Sequence, residues 1–371
     1  MIWLDSAATS FQKPAAVRFA VWKAMTALSS PGRGGYASAM AAADVLFRCR
    51  CVLGDMFGVR DPERVVFTSN ATHGLNIAVK SLVGPGDRVV ISGYEHNAVT
   101  RPLYAIGADV YVASSPLFDR TAAVEAFGKL LTGAKAAVCC HVSNVFGYVL
   151  PLEEIARACR EEGVPLIVDA AQSAGVLPLD VDRLGCAFAA MPGHKGLLGP
   201  QGTGVLLCGT KHIKPLLEGG TGSESENAAM PEYLPDRLEA GTHNVPGIAG
   251  LLAGLDWIGE TGMAEICRHE TLRRKQISSM LRKEKRIRLF DAEDDRCQTG
   301  VLSIQIEGID CETAAERLGE SGIAVRAGLH CAPLAHRSAG TIERGTIRLS
   351  TSPFTTEQDA AQAAEAILGL L

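Results

Sequence analysis

Nowhere in this sequence does an apolar run reach the roughly 20 residues that a membrane-spanning helix needs. Nor is there a secretory leader: the chain starts directly in fold-like sequence, so a cytoplasmic protein in a reducing compartment is expected. An excess of positive charge is missing too. Lys and Arg number 36 against 41 Asp and Glu, a formal net charge of −5, which gives no reason to expect a nucleic acid or a membrane surface as partner. The eleven cysteines are irregularly spaced and form no disulfide framework. Cys49 and Cys51 make only a C-x-C, and no second pair follows at zinc-like spacing, so no metal is expected. Cys139, Cys140 and Cys208 lie in apolar runs and read as small core hydrophobes. No internal repeat is evident.

What is present is a length of 371 residues, 47% of them hydrophobic, enough for one large domain with a substantial core and a smaller second one. Short apolar runs at 65–68, 89–91, 110–112, 136–140, 166–168 and 188–190 read as strands alternating with helices, which implies a mostly parallel sheet with crossover helices. Residues 15–28 and 39–57 read as helices, and Gly32-Arg33-Gly34-Gly35-Tyr36 between them as a mobile loop. The 219–247 connection, rich in Gly, Ser, Glu and Pro, is long enough to be functional. Beyond it a basic segment from Arg268 to Arg288, interrupted by Glu270 and Glu284, reads as the solvated face of a helix. A strand at 301–306 and a helix at 313–318 follow, and Thr355-Thr356-Glu357-Gln358 reads as a capping box opening an Ala-rich last helix. The expected division is a large domain over 15–255 and a small one over 256–371, joined by an arm at 1–14.

Chemistry concentrates between Pro165 and Gly204. The strand at 166–168 stops on Asp169, at the carboxyl edge where open α/β sheets bind ligands. Gln172 follows, and after the next strand comes Lys195, flanked by Gly193 and Gly196, which allow a tight turn close to a ligand. Such a lysine is either a point charge for a phosphate or an amine for Schiff-base chemistry, and the acid favours the amine. An acid and a lysine on neighbouring strand ends suit pyridoxal phosphate, whose electronics depend on the partner of its ring nitrogen. The plainer alternative is a helix-capping Asp and a solvated Lys. Upstream, the strand at 65–68 runs through Ser69-Asn70-Ala71-Thr72 into a helix, and free N–H groups at a helix N-terminus favour a phosphate. An ordinary N-cap by Thr72 is compatible with that role.

VDAAQSAG followed by GHKGLLGPQGTG resembles the class V, fold type I pyridoxal-phosphate enzymes, in particular the cysteine desulfurases and selenocysteine lyases. The resemblance runs from LDSAAT at 4–9 to TIRLS at 346–350 and implies a large, mostly parallel seven-stranded sheet sandwiched by helices, plus a smaller α/β C-terminal domain. It implies that Asp169 pairs with the ring nitrogen, Gln172 meets the ring hydroxyl and Lys195 forms the Schiff base. Ala71, Thr72 and His194 join the cofactor set, His96 stacks on the ring and moves protons, and Asn144 lies near the ring hydroxyl and the substrate carboxylate. RLEAGTHN resembles the segment whose Thr, here Thr242, reaches the phosphate of the neighbouring subunit, which implies a homodimer with shared active sites. Three positions depart from the pattern: Pro192 stands where a phosphate-binding Ser is usual, Tyr36 where a His is common, and Leu329 where a first His precedes the cysteine.

Arg326-Ala327-Gly328-Leu329-His330-Cys331-Ala332 is the second centre. Positive charge from Arg326 and His330 favours a thiolate, yet the residues alone leave Cys331 open between a nucleophile and one thiol among eleven. RAGLHCA resembles the RxGHHCA motif of the group II desulfurases, and that likeness makes Cys331 the sulfur-accepting nucleophile. A guanidinium binds carboxylates bidentately, and the resemblance assigns Arg348 to the substrate carboxylate, with Arg326 beside it. The expected reaction removes sulfur from L-cysteine to give L-alanine and a persulfide on Cys331, with a sulfur-acceptor protein as a further partner. Selenocysteine lyase, with L-selenocysteine as substrate, a class V aminotransferase and a weak sulfur-relay subunit are the alternatives.

Overall fold

The computed structural model describes residues 1–32 and 34–371; Arg33 of the Gly-rich segment lies outside the described residues. The chain begins with β1 (Ile2–Trp3) and builds a seven-stranded sheet from β2 (Val65–Thr68), β3 (Arg88–Ser92), β4 (Asp109–Ala113), β5 (Ala136–Cys140), β6 (Leu166–Asp169), β7 (Phe188–Pro192) and β8 (Gly204–Cys208). Their order is β2-β8-β7-β6-β5-β3-β4. The neighbours from β7 through β6, β5 and β3 to β4 pair in parallel, whereas β8 runs antiparallel to both β2 and β7. Sequence periodicity gave no separate strand at 204–208, because its Gly-rich approach reads as a turn. Here the reversal lets β2 and β7 point the same way with β8 between them.

The sheet is covered on both faces, as strands that read as unbroken apolar runs require. On one side Phe67, Ala137, Cys139, Val168 and Ala189 pack with Leu53 and Phe57 of the helix Ala37–Phe57. On the other, Val66, Val138, Ile167 and Phe188 pack with Leu75, Ala78 and Val79 of the helix Ala71–Leu82. Alternate residues of one strand thus serve two cores. All carboxyl ends of the parallel strands fall on one edge, which carries Ser69–Thr72, His96, Asn144, Asp169 and Lys195 together.

A second, antiparallel sheet comprises β9 (Ile287–Phe290), β10 (Val301–Ile306), β12 (Arg326–Gly328) and β13 (Thr346–Ser350), in the order β12-β13-β10-β9. Its apolar residues Leu302, Ile304, Ile347 and Leu349 pack with Ile277 and Leu281 of the helix Met263–Leu281 and with Ala360, Ala363 and Ile367 of the last helix, Glu357–Leu368. The N-terminal arm joins this unit: β1 pairs in parallel with β11 (Ile323–Ala324), and Leu4 is buried in the same core. No helix among the described residues is long and apolar enough to cross a membrane.

Two local expectations need correction. The basic segment is not one solvated helix face: it splits over the helix Met263–Leu281, a turn and β9. Arg274 is 1% exposed and paired with Asp291, while Arg268 faces solvent with Glu265. A run of charges along a helix does not reveal which one turns inward to a carboxylate on a later strand end. The capping box is shifted by one residue. Thr356 caps the last helix, accepting the Asp359 N–H at 3.0 Å, and Asp359 accepts the Thr356 N–H at 2.9 Å, while the Thr355 hydroxyl accepts from Ser352 N. Asp at the third helical position does what Glu or Gln does in the usual motif.

Removing Arg274 takes from Asp291 its buried partner and leaves it only the exposed Arg282. Arg274→Ala is expected to lower stability by about 3 kcal/mol, read as a fall in the urea midpoint, whereas Arg268→Ala on the exposed side changes it by less than about 1 kcal/mol.

Candidate active site

The Lys195 turn leaves β7 after Pro192 and depends on its two glycines. A Cβ on Gly193 would collide with the Thr203 hydroxyl, and one on Gly196 with the Ala174 carbonyl. The turn is also stitched to the arm, since His194 O accepts from Ser10 N at 3.0 Å and from its hydroxyl at 2.9 Å, and His194 Nδ1 lies 3.0 Å from the Thr9 hydroxyl. Withdrawal from water lowers the Lys195 amine to about 8. Asp169 opposes the shift, Arg348 and Arg326 add to it, and Asp5 opposes it more weakly. Burial in turn pushes the Asp169 carboxyl up, offset by the Ala171 N–H on its Oδ1 and by Lys195.

One cavity is lined by Ala71, Thr72, His96, Asn144, Asp169, Gln172, His194 and Lys195, together with Asn70 and Pro192. Asn70, not Thr72, is the N-cap of the helix Ala71–Leu82: its Oδ1 accepts from His73 N at 2.9 Å. Asn caps as well as Thr does, and this leaves the Thr72 hydroxyl and the amides of the first helical turn to face the cavity. Gln172 is held by its Nε2 bond to Ala7 O at 2.9 Å. His96 caps the helix Asn97–Ile106, its Nδ1 accepting from Ala98 N at 3.0 Å. That bond places the ring proton on Nε2. Burial, with Lys195, Arg348 and Arg101 adding, lowers the ring to about 4, so it is neutral at physiological pH. His194 is likewise lowered to about 4, chiefly by burial.

Sequence reasoning overlooked Glu95. It is fully buried, and its Oε1 accepts from the Ser92 hydroxyl at 2.5 Å and from Cys140 N at 2.6 Å. Burial raises it to about 7, with Asp169 adding to the shift. A charged residue directly before His96 in an otherwise buried turn was the available signal.

Cys331, Arg348 and Arg326 do not line that cavity but are fastened to its rim. Asn144 Nδ2 donates to His330 O at 2.8 Å, and Asn97 N, next to His96, donates to Cys331 O at 2.8 Å. His330 and Cys331 both have left-handed backbone, φ +52° and +55°. The Cys331 side of this loop is exposed. His330 does not supply the positive charge expected of it. Burial, then Arg348, lowers its ring to about 3, and it stacks on buried His336 at 5.7 Å between ring centroids. Arg348 is buried; its Nη1 donates to Asn144 O at 3.0 Å and its Nη2 to Asp5 Oδ1 at 2.8 Å.

Thr242 is the predicted residue that this fold keeps apart. It lines a separate cavity with Ser69, His73 and His243. There buried Glu239 accepts from Arg50 Nη1 at 2.9 Å and Nη2 at 2.6 Å and lies 2.5 Å from His243 Nε2, fixing the segment that carries Thr242.

The family model for aminotransferase class-V matches residues 2–362. The chain belongs to the aminotransferase class-V family. Members of this class V family are pyridoxal-phosphate enzymes, and the chain is an enzyme of the family. Similar proteins include a probable cysteine desulfurase of Methanothermobacter thermautotrophicus, 32% identical over 373 residues, with 96% of this chain and 92% of the relative covered. The cysteine desulfurase of Thermococcus onnurineus in its apo form superposes with a TM-score of 0.90 at 28% identity, covering 100% of this chain and 94% of that one. The cysteine desulfurase CsdA of Escherichia coli, as an S-sulfonic acid, gives 0.86 at 28% identity, covering 100% and 95%.

A lysine titrating near 8 is far more nucleophilic at neutral pH than one near 10.5. Limiting formaldehyde and cyanoborohydride at pH 7.5, applied to the apoprotein, are expected to methylate Lys195 and Lys13, the latter also lowered to about 8 by burial, ahead of the exposed lysines. Peptide mass spectrometry reads the order; uniform labelling would contradict it.

Proposed function

We propose that this chain is a pyridoxal 5'-phosphate-dependent cysteine desulfurase, which converts L-cysteine to L-alanine and keeps the sulfur as a persulfide on Cys331. The observation that carries this is the double fastening of the Cys331 loop to the cavity rim, through Asn97 beside His96 and through Asn144. A family aminotransferase needs the lysine and the acid; a thiol held at the same mouth suits sulfur removal. The similar proteins that bear the name cysteine desulfurase support the same reading.

The donor set fits the cofactor. The free amides of the first turn at Ala71 and Thr72, with the Thr72 hydroxyl, suit a phosphate. Pro192 offers no donor, so these groups and Asn70 carry more of that contact, and His194 lines the same cavity. Asp169 suits a protonated ring nitrogen, Gln172 and Asn144 a ring hydroxyl, and Lys195 an aldehyde. When bound, the cofactor supplies an electron sink for negative charge at the substrate α-carbon.

The protein's own groups supply the rest. Arg348 and Arg326, with Asn144, hold the substrate carboxylate. Lys195, lowered by burial, takes the α-proton. His96, neutral with its proton on Nε2, moves protons over the cavity. The Cys331 thiolate attacks the substrate sulfur, the C–S bond breaks, and the Cys331 persulfide and alanine together account for every atom of the two thiols consumed. L-Selenocysteine fits the same groups.

Thr242 lies outside the cavity, and Phe19, Trp22 and Met25 of the helix Ala15–Ala27 are exposed, as are Met40 and Phe47 of the next helix. Both facts support a homodimer in which Thr242 serves the neighbouring subunit's phosphate. The exposed Cys331 suits an incoming sulfur-acceptor protein. The division at 255/256 and a cytoplasmic location belong to the same reading.

Purified protein with the cofactor, L-cysteine and dithiothreitol is expected to yield equal alanine and sulfide. Lys195→Ala is expected to lose both products by more than about 100-fold, the range for a proton-transfer group. Cys331→Ala is expected to lose sulfide release from cysteine while retaining the cofactor's absorbance. A wild-type rate in Cys331→Ala would defeat the proposal.

A further inference from the structure

Two acids lie close together at the carboxyl edge of the large sheet, and only one of them has a cation. Asp169 is supported by Lys195 and by the Ala171 N–H. Glu95 has no cation paired with it among the described residues. Its Oε1 accepts from the Ser92 hydroxyl at 2.5 Å and from Cys140 N at 2.6 Å, while its Oε2 is buried without a partner. The other titratable groups around it carry no charge. Burial pushes up the Cys139 and Cys140 thiols of β5 and the Tyr94 phenol of its own turn, and the His96 ring is neutral.

Two carboxyls in one dry site cannot both ionise without a large cost. The proton goes to the acid with the poorer support for a charge, which is Glu95. With both donors on Oε1, that proton belongs on Oε2.

The same acid is a clamp. Ser92 ends β3 and Cys140 ends β5, and Cys140 is the register partner of Asp169 on β6. Glu95 joins the first two. The Ser92 hydroxyl also accepts from Tyr94 N at 3.2 Å, and the Cys140 thiol donates to Tyr94 O at 3.4 Å. The turn held in this way delivers His96, and Tyr94 and Cys140 line the cavity with it.

We propose that Glu95 is a positioning residue that works in its protonated, neutral form: it clamps the His96 turn to the end of β5 and leaves Asp169 as the one negative charge lining the cavity. The clamp and its proton stand on the protein's own contacts. The use made of the Asp169 charge rests on the reading that it pairs with the ring nitrogen.

An amide has the shape of a neutral acid, so Glu95→Gln keeps the clamp and removes the titration. An acid that holds its proton more tightly folded than unfolded loses stability as the pH rises, here from its ordinary value of 4.5 to about 7. Full-length wild type and Glu95→Gln, both stripped of cofactor, are unfolded in urea across that range and up to pH 8. The midpoints are expected to agree at the acid end. That of Glu95→Gln then lies increasingly above wild type up to about pH 7, and by a constant margin beyond. In an Asp169→Asn background the margin is expected to shrink and to level off at lower pH, because the charge opposing Glu95 is gone. A margin that does not change with pH overturns the neutral form, and one that Asp169→Asn leaves unmoved overturns the coupling. For the clamp, the Cys140 amide of Glu95→Gln is expected to exchange hydrogen as slowly as in wild type; fast exchange overturns it. Alanine formation by the holoenzyme at saturating L-cysteine is expected to be on the order of tenfold slower in Glu95→Ala than in Glu95→Gln, the worth of about one hydrogen bond. Equal rates overturn the positioning of His96. No alanine from wild type would defeat the proposed reaction and leave the urea and exchange results to decide on Glu95.

Discussion

Asp169 and Lys195 are opposite charges drawn out of water at the ends of adjacent parallel strands, and each favours the other's charged form against the cost of burial. Much of the site answers to this pair. Because both lie on the carboxyl edge, the neighbouring strand ends bring His96, Asn144 and the helix start at Ala71 into the same cavity. Burial keeps His96 uncharged, with Lys195 and Arg348 adding, and positive charge from Arg348 tips Lys195 further towards the free amine. The site thus combines a neutral imidazole and a readily deprotonated lysine with a buried acid, at a pH where free lysines are protonated.

The C-terminal sheet meets that edge through three short segments. The arm ties Asp5 to Arg348 and Ser10 to the His194 carbonyl, and the Cys331 loop is tied to Asn97 and Asn144. Arg348 Nη1 on Asn144 O closes the circuit. A displacement of the small sheet would therefore be felt at the lysine turn, the His96 helix and the thiol together.

Much of this was legible in the sequence because it is local. Short apolar runs ending on Asp169 or entering Asn70–Thr72 fixed the strands to within a residue or two, and the residues gathered in the cavity all follow such runs. Distance in sequence defeated the rest. Asp5 and Arg348 are 343 residues apart, and neither the arm nor β13 alone announces an ion pair. Charge patterning misread Arg274, since burial depends on the facing strand. The cap at Asn70 was missed because Ser69, Asn70 and Thr72 can each serve, and only backbone geometry chooses. His330 was read as a cation from its neighbourhood, but enclosure beside His336 and Arg348 determines its charge.

The left-handed pair His330–Cys331 gives the thiol loop a handed shape. Neither residue is a glycine, and each such conformation costs about 1–3 kcal/mol unless its surroundings hold it. The carbonyls of both are pinned, one by the Asn144 side chain and the other by the Asn97 N–H. Such a tip behaves as a detent: it has one seated position and leaves it only by unwinding both residues and releasing both pins. If sulfur is loaded onto Cys331, it stays at the doorway, and the receiver must travel to the enzyme.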